Sequence, residues 1–196
     1  YEAALYFRGE PVDYGLVRGD QGSRSEYSRV SHPASYTEGT GVLRAGACTL
    51  LNLNHPDCVT EQIQGPARYV SPIEFDCQTH HIVLLTDGAP SVNTSEARIE
   101  AMIGSSCAGS GSGKCGPELV QFLHDNDQNT TVERSNVITH VIGFNFSSQY
   151  IQDLALVSSF PEGRYAEADS AAQLVAAFSA ILADILSQPT SFATPS

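Results

Sequence analysis

The chain has 196 residues, 41% of them hydrophobic and 16% charged, and its 22 Asp and Glu against 10 Lys and Arg leave a formal net charge of −12. That balance repels phosphate backbones and anionic lipid headgroups, and no Lys/Arg cluster offers a local exception, so nucleic acid is excluded as an expected partner. No apolar run approaches the roughly 20 residues of a membrane helix, and no basic start leads into an apolar stretch with a cleavage site, so neither membrane insertion nor a self-carried signal is expected.

The composition has enough apolar material for one core, and its low charge content and many Gly, Ser and Thr lean towards a secreted protein. Tyr1-Glu2-Ala3-Ala4-Leu5-Tyr6-Phe7 reads as the interior of a helix, which predicts further chain ahead of it. Residues 9–76 are rich in Gly, Ser, Tyr and Pro, with brief apolar patches at Val42-Leu43 and Leu50-Leu51. Loops of this length are uncommon inside compact domains. The stretch is read as a functional insertion held by Cys48, Cys58 and Cys77, in preference to a region of unrecognised short strands.

From about residue 80 apolar runs alternate with helical patterns, the sign of βαβ units and a parallel sheet. Residues 81–86 and 137–144 are apolar at successive positions, as suits strands covered on both faces. Between them, Asn93 and Glu96 resemble a capping box ahead of Ile99, Met102 and Ile103. Gly116-Pro117 opens a second helix with Leu119, Val120 and Leu123 on one face. Ser148 can cap a third, burying Ile151, Leu154 and Ala155, and residues 163–167 form a short strand after it. Ser170 and Gln173 form a capping box for a helix over 170–186, whose stripe of Leu174, Phe178, Ile181, Leu182 and Ile185 must pack on the sheet. The Pro/Ser/Thr-rich residues 187–196 read as a linker to a following domain.

The five cysteines, at 48, 58, 77, 107 and 115, form no Cys-x-x-Cys pair, so disulfides are expected rather than structural zinc. Cys107 and Cys115 bracket a Gly/Ser-rich loop able to bring their Cα atoms within bridging distance, and their pairing implies an oxidising compartment. Among the other three, Cys48 with Cys58 closes the shorter loop, leaving Cys77 free or paired outside the chain.

Thr86-Asp87-Gly88 directly follows a buried strand, and in open α/β sheets ligands bind beyond the strands' C-terminal ends. A carboxylate there is a hard oxygen ligand suited to Mg²⁺ or Ca²⁺. Alone, Asp-Gly is more often only a turn. The surrounding string His81-Ile82-Val83-Leu84-Leu85-Thr86-Asp87-Gly88-Ala89-Pro90 resembles the fourth strand of von Willebrand factor A-type (vWA) domains, where the Asp belongs to the metal-ion-dependent adhesion site. With 137–144, Tyr150-Ile151-Gln152-Asp153-Leu154-Ala155, Tyr165-Ala166-Glu167-Ala168, Tyr69-Val70-Ser71-Pro72-Ile73 and Cys77-Gln78, the chain resembles the vWA domain of PilY/PilC-type pilus tip adhesins over nearly its whole length.

The resemblance implies a Rossmann-like α/β fold with a mainly parallel sheet flanked by helices and a long, irregular, disulfide-containing insertion. Residues 1–186 would be a partial vWA domain, with 9–76 the insertion, and 187–196 the linker. It implies a non-enzymatic extracellular module at the cell surface or pilus tip that supports surface attachment and pilus biogenesis. Its partners would be a host or abiotic surface receptor, pilus minor subunits and the remainder of the same adhesin. The family's metal site also needs an Asp-x-Ser-x-Ser loop and a Thr, and the chain has no Asp-x-Ser-x-Ser; both would precede residue 1. Asp87 is therefore the one metal ligand carried over, and the Mg²⁺ or Ca²⁺ site is incomplete here. The alternatives are an extracellular metal-dependent hydrolase or phosphoesterase on an α/β fold, with Asp87 as ligand or nucleophile, and a purely structural pilus-assembly domain.

Three further patterns are read as structural. Gly111-Ser112-Gly113-Lys114-Cys115-Gly116 fits a nucleotide-binding pattern, but without the preceding strand that the pattern demands. Asp125, Asp127, Asn129 and Glu133 alternate like calcium-loop ligands, yet Thr130 stands at the required Gly and Asn136 at the required Glu. His80 and His81, as strand neighbours, point to opposite faces and cannot easily share a metal.

Overall fold

The computed structural model describes residues 1–16, 30–43, 60–76, 78–90 and 94–187. The chain divides into two compact units, Tyr1–Pro72 and Ile73–Ser196. Cys48, Cys58 and Cys77, and hence any bridge among them, lie outside the described residues.

The first unit opens with helix α1 (Glu2–Arg8), which ends where Gly9 adopts a left-handed φ of 62°. Glycine takes that conformation without a Cβ clash and so closes the helix. The Glu2 carboxylate gathers donors from well beyond the helix: Oε1 accepts from the backbone N–H of Asp13 and Gly15 and from the Tyr69 hydroxyl, and Oε2 from the N–H of Tyr14. It thereby ties α1 to the short 3-10 turn at Tyr14–Leu16. Four short strands come next: β1 (Tyr36–Thr37), β2 (Thr40–Leu43), β3 (Thr60–Gln64) and β4 (Arg68–Tyr69). They pair antiparallel as β1 with β4 and β2 with β3. The region expected to be irregular thus holds strands, too short for a period-2 pattern to stand out. Leu5, Val12, Tyr36, Ile63, Ala67 and Tyr69 are buried. Gly39 is required among them, because a Cβ there would lie 2.6 Å from Ile63 Cγ2 and 2.8 Å from Ala67 Cβ.

The second unit is mixed α/β. In chain order it comprises β5 (His80–Thr86), α2 (Glu96–Ile103), α3 (Gly116–Asp125), β6 (Val137–Phe144), α4 (Gln149–Leu156), β7 (Tyr165–Ala168) and α5 (Ala171–Ser187). The strands form a parallel sheet in the order β5-β6-β7, with Val83 opposite His140 and Ile142 opposite Ala166. Central β6 is buried from Val137 to Gly143, Thr139 and His140 included, whereas β5, expected from its apolar run to be covered on both faces, is half-exposed at Leu84 and Leu85 because it lies at the edge of the sheet among the described residues. On one face Val141 packs with Ile151, Leu154 and Ala155 of α4 and with Val120 of α3; on the other, Ile142 packs with Ala168 and with Ala177 and Ile181 of α5. Each fully buried Val or Ile contributes about 1.5–3 kcal/mol relative to exposure. This arrangement is compatible with a Rossmann-like fold.

The helix starts differ in detail from the sequence expectation. Ser148 caps α4 as expected, its Oγ accepting from Ile151 N at 3.3 Å. The N-cap of α2 is Ser95, whose side chain makes no capping bond; Asn93 lies outside the described residues. At α5, Ser170 Oγ accepts from Gln173 N at 3.4 Å, but the Gln173 side chain reaches the N–H of Asp169, one residue short of a reciprocal box. Leu182, placed in the buried stripe by the sequence, is 52% exposed. At 100° per residue it falls off the line through Leu174, Phe178, Ile181 and Ile185.

Candidate functional site

The C-terminal ends of three parallel strands lie together along one edge of the sheet, and each is followed by an oxygen-bearing side chain: Asp87, Asn145 and Asp169. At β5, Thr86 Oγ1 donates to Gly88 O at 2.7 Å and accepts from Gly88 N at 3.3 Å. This tight turn leaves Asp87 exposed at the strand end. At β6, Asn145 takes a left-handed φ of 51°, and its N–H donates to Ala168 O at 2.8 Å, joining the ends of β6 and β7.

The path of the chain gives β5 a special position. From β5 to β6 to β7 the connections advance one strand at a time, and α3 and α4, which pack on each other, cover the same face; α5 then covers the opposite face. Among the described residues β5 is thus an edge strand, with Asp87 at its C-terminal end.

A cleft of about 480 Å³ lies at the ends of β6 and β7, lined by Asn145, Ser147, Glu167, Asp169 and Gln173 among others. At its margin the Tyr165 hydroxyl is 3.1 Å from Glu167 Oε1 and 3.2 Å from Ser147 Oγ, and burial together with Glu167 raises the phenol's pKa. Asp87 does not line this cleft. Of these, Asn145 and Asp169 were not singled out in the sequence as site residues, although each directly follows a strand.

The disulfide between Cys107 and Cys115 is present, with Cα atoms 5.1 Å apart. Its loop borders a second cleft of about 420 Å³, lined by Ala89, Pro90, Lys114, Pro117, Glu118 and Tyr150 among others. Lys114, the lysine of the nucleotide-like pattern, is ion-paired to Glu96 and Glu100. Its charge is thus balanced within the protein rather than presented to a phosphate. Glu100, Cys107 and Cys115 form one group, among the described residues, close enough to hold a metal ion. Because the two sulfurs are bonded to each other, they would become thiolate ligands only after reduction.

The residues that resemble a calcium loop close the connector from α3 to β6 instead. Asp127 Oδ1 accepts from Ser135 N at 2.7 Å, and Asn129 Oδ1 accepts from the N–H and hydroxyl of Thr131. His80 and His81 do face opposite ways: His80 is opposite Val137, whereas His81 Nδ1 lies 3.0 Å from His140 Nε2. Burial lowers the pKa of all three rings, that of His140 to about 4 with a further push from His81.

Comparison of the chain with protein-family models, curated proteins and solved structures produced no match.

Proposed function

We propose that this chain is part of a vWA-type binding module of a pilus tip adhesin, acting outside the cell in surface attachment and pilus biogenesis rather than as an enzyme. The observation that carries the reading is the position of Asp87: exposed, at the C-terminal end of the parallel edge strand β5. A carboxylate so placed has the chemistry to hold Mg²⁺ or Ca²⁺, which would bridge to a receptor carboxylate. The ion takes about six oxygens, and Asp87 supplies one side chain. Upstream residues would complete the set, next to β5. The half-exposed Leu84 and Leu85, 39% and 45% accessible, favour a further strand beside β5, since an uncharged apolar edge invites pairing. The disulfide fits an oxidising compartment.

The test is calorimetric titration of Mg²⁺ and Ca²⁺ into residues 1–196, into a longer chain that includes the segment ahead of Tyr1, and into the longer chain with Asp87→Ala. The short chain should bind weakly or not at all, and the longer one should bind through Asp87. Tight binding by the short chain, or unchanged binding after Asp87→Ala, would overturn the metal assignment. Deleting residues 10–76 in the full-length protein separates adhesion from assembly: loss of attachment with normal piliation supports the adhesive role.

A further inference from the structure

His81 and His140 meet on the face of the sheet that α5 covers. In the parallel register His81 is opposite Ile138 and Val83 is opposite His140, so alternation puts His81, Val83, His140 and Ile142 on one face. Ala177 and Ile181 of α5 pack on that face against Ile142. His140 is completely buried, and its ring stacks on His81 with centroids 5.2 Å apart and an interplanar angle of 28°.

The hydrogen bonding of the pair leaves no room for charge. A 3.0 Å contact between His81 Nδ1 and His140 Nε2 needs an N–H on one ring and a lone pair on the other. In the neutral pair one proton lies in that contact and the second sits on the far nitrogen of the accepting ring. The far nitrogens, His81 Nε2 and His140 Nδ1, are buried and meet no hydrogen-bond partner among the described residues. A third proton must therefore go to a buried nitrogen without an acceptor, and a fourth would break the contact between the rings. An imidazole released to water meets neither penalty and takes its proton near pH 6.5.

We propose that proton uptake by the His81–His140 pair releases α5 from the sheet, so that docking of this helix is acid-sensitive. The charged and titratable groups that act on the pair are Asp184 of α5, Arg164 just ahead of β7, and His80, which is coupled to His81 from the other face of β5. Asp184 favours proton uptake, but it is ion-paired to Arg164 at 2.8 Å, and burial outweighs it at both rings. Release would expose the apolar surface of Ile142 and Ala168 on the sheet and of Ala177 and Ile181 on the helix. The inference rests on the sheet and α5 alone and stands whether or not the adhesin reading does.

The test is amide hydrogen exchange on residues 1–196 at about pH 7.5 and pH 5, expressed as protection factors to remove the intrinsic pH dependence, with imidazole titration by NMR alongside. With a folded-state pKa of about 4 for His140 against 6.5 when exposed, the population with α5 undocked rises roughly thirtyfold over that interval. Protection of α5 should fall by about that factor while β6 and α4 keep theirs, and the fall should shrink in His140→Phe, where only His81 is left to take up a proton. If that variant fails to fold, His140→Gln, which can still donate to His81 but cannot take a proton, gives the same readout. Constant α5 protection, joint loss from α5 and β6, or an undiminished fall in a folded His140 variant would each overturn the proposal.

Discussion

Ser159 Oγ accepts a 3.1 Å hydrogen bond from the backbone N–H of Thr139, and both residues are buried. The bond fills a gap in the sheet. The link between β6 and the chain entering β7 begins where Val141 N donates to Arg164 O, so two residues earlier the neighbouring strand has not yet arrived. Ser159→Ala leaves a buried N–H without an acceptor and should lower stability by about 1–3 kcal/mol. Urea unfolding of the two proteins measures it; a difference below a few tenths would mean that water or a backbone shift takes over the bond.

Gly143 stands near the end of β6 where no side chain fits. A Cβ would approach Phe146 O to 2.3 Å, and that atom belongs to the backbone and cannot rotate away. Gly143→Ala should cost about 2–3 kcal/mol through overpacking and displace the turn carrying Asn145 and Ser147. Gly88→Ala is the contrasting control, since a Cβ there meets nothing within 4 Å. Thermal melts of both variants check the difference.

His124, at the end of α3, sits 2.7 Å from Asp125 Oδ1 and 2.9 Å from Glu162 Oε2. Burial opposes its charge, but the two carboxylates outweigh burial and raise its pKa above the ordinary value of 6.5. The folded state therefore binds the proton more tightly than the unfolded chain. The resulting stability is fully present below pH 6.5 and is lost as pH rises through the folded-state pKa. His124→Gln should cost roughly 0.5–1 kcal/mol at about pH 5.5, the scale of a partly exposed ion pair, and close to nothing above about pH 8.5. A deficit that grows with pH would show that the carboxylates do not hold the charge.

The bridge from Cys107 to Cys115 closes a short loop, with a sequence separation of 8. Loop-closure entropy for that length corresponds to about 2.5 kcal/mol. Replacing both cysteines with serine should lower stability by about that amount, and non-reducing peptide mapping of the native chain should recover the linked pair. Finding both thiols free would remove the bridge and the oxidising compartment inferred from it.

Much of the second unit is legible from residue order. β5 and β6 read as strands from their consecutive apolar side chains, although only β6 is covered on both faces, and α4 reads with its cap and its three buried residues because Ser148, Ile151, Leu154 and Ala155 keep helical spacing. The first unit does not read this way. Its strands of two to five residues are set by pairing across distant chain, and its anchor is one carboxylate, Glu2, whose partners lie at least 11 residues away.

The same division holds for chemistry. Asp87 is visible in sequence because a strand and its following turn are local, and the Cys107–Cys115 pair is visible because a short Gly/Ser loop limits where its ends can go. The His81–His140 contact joins residues 59 apart and depends on the register of two parallel strands and on which face α5 covers. Sequence alone determined the periodic elements, the short-range cap and the short-loop bridge, since each follows from neighbours along the chain. Only the tertiary structure decided which polar groups share a buried surface, because strand register and helix placement set those distances, and a one-residue slip would send either histidine to the opposite face.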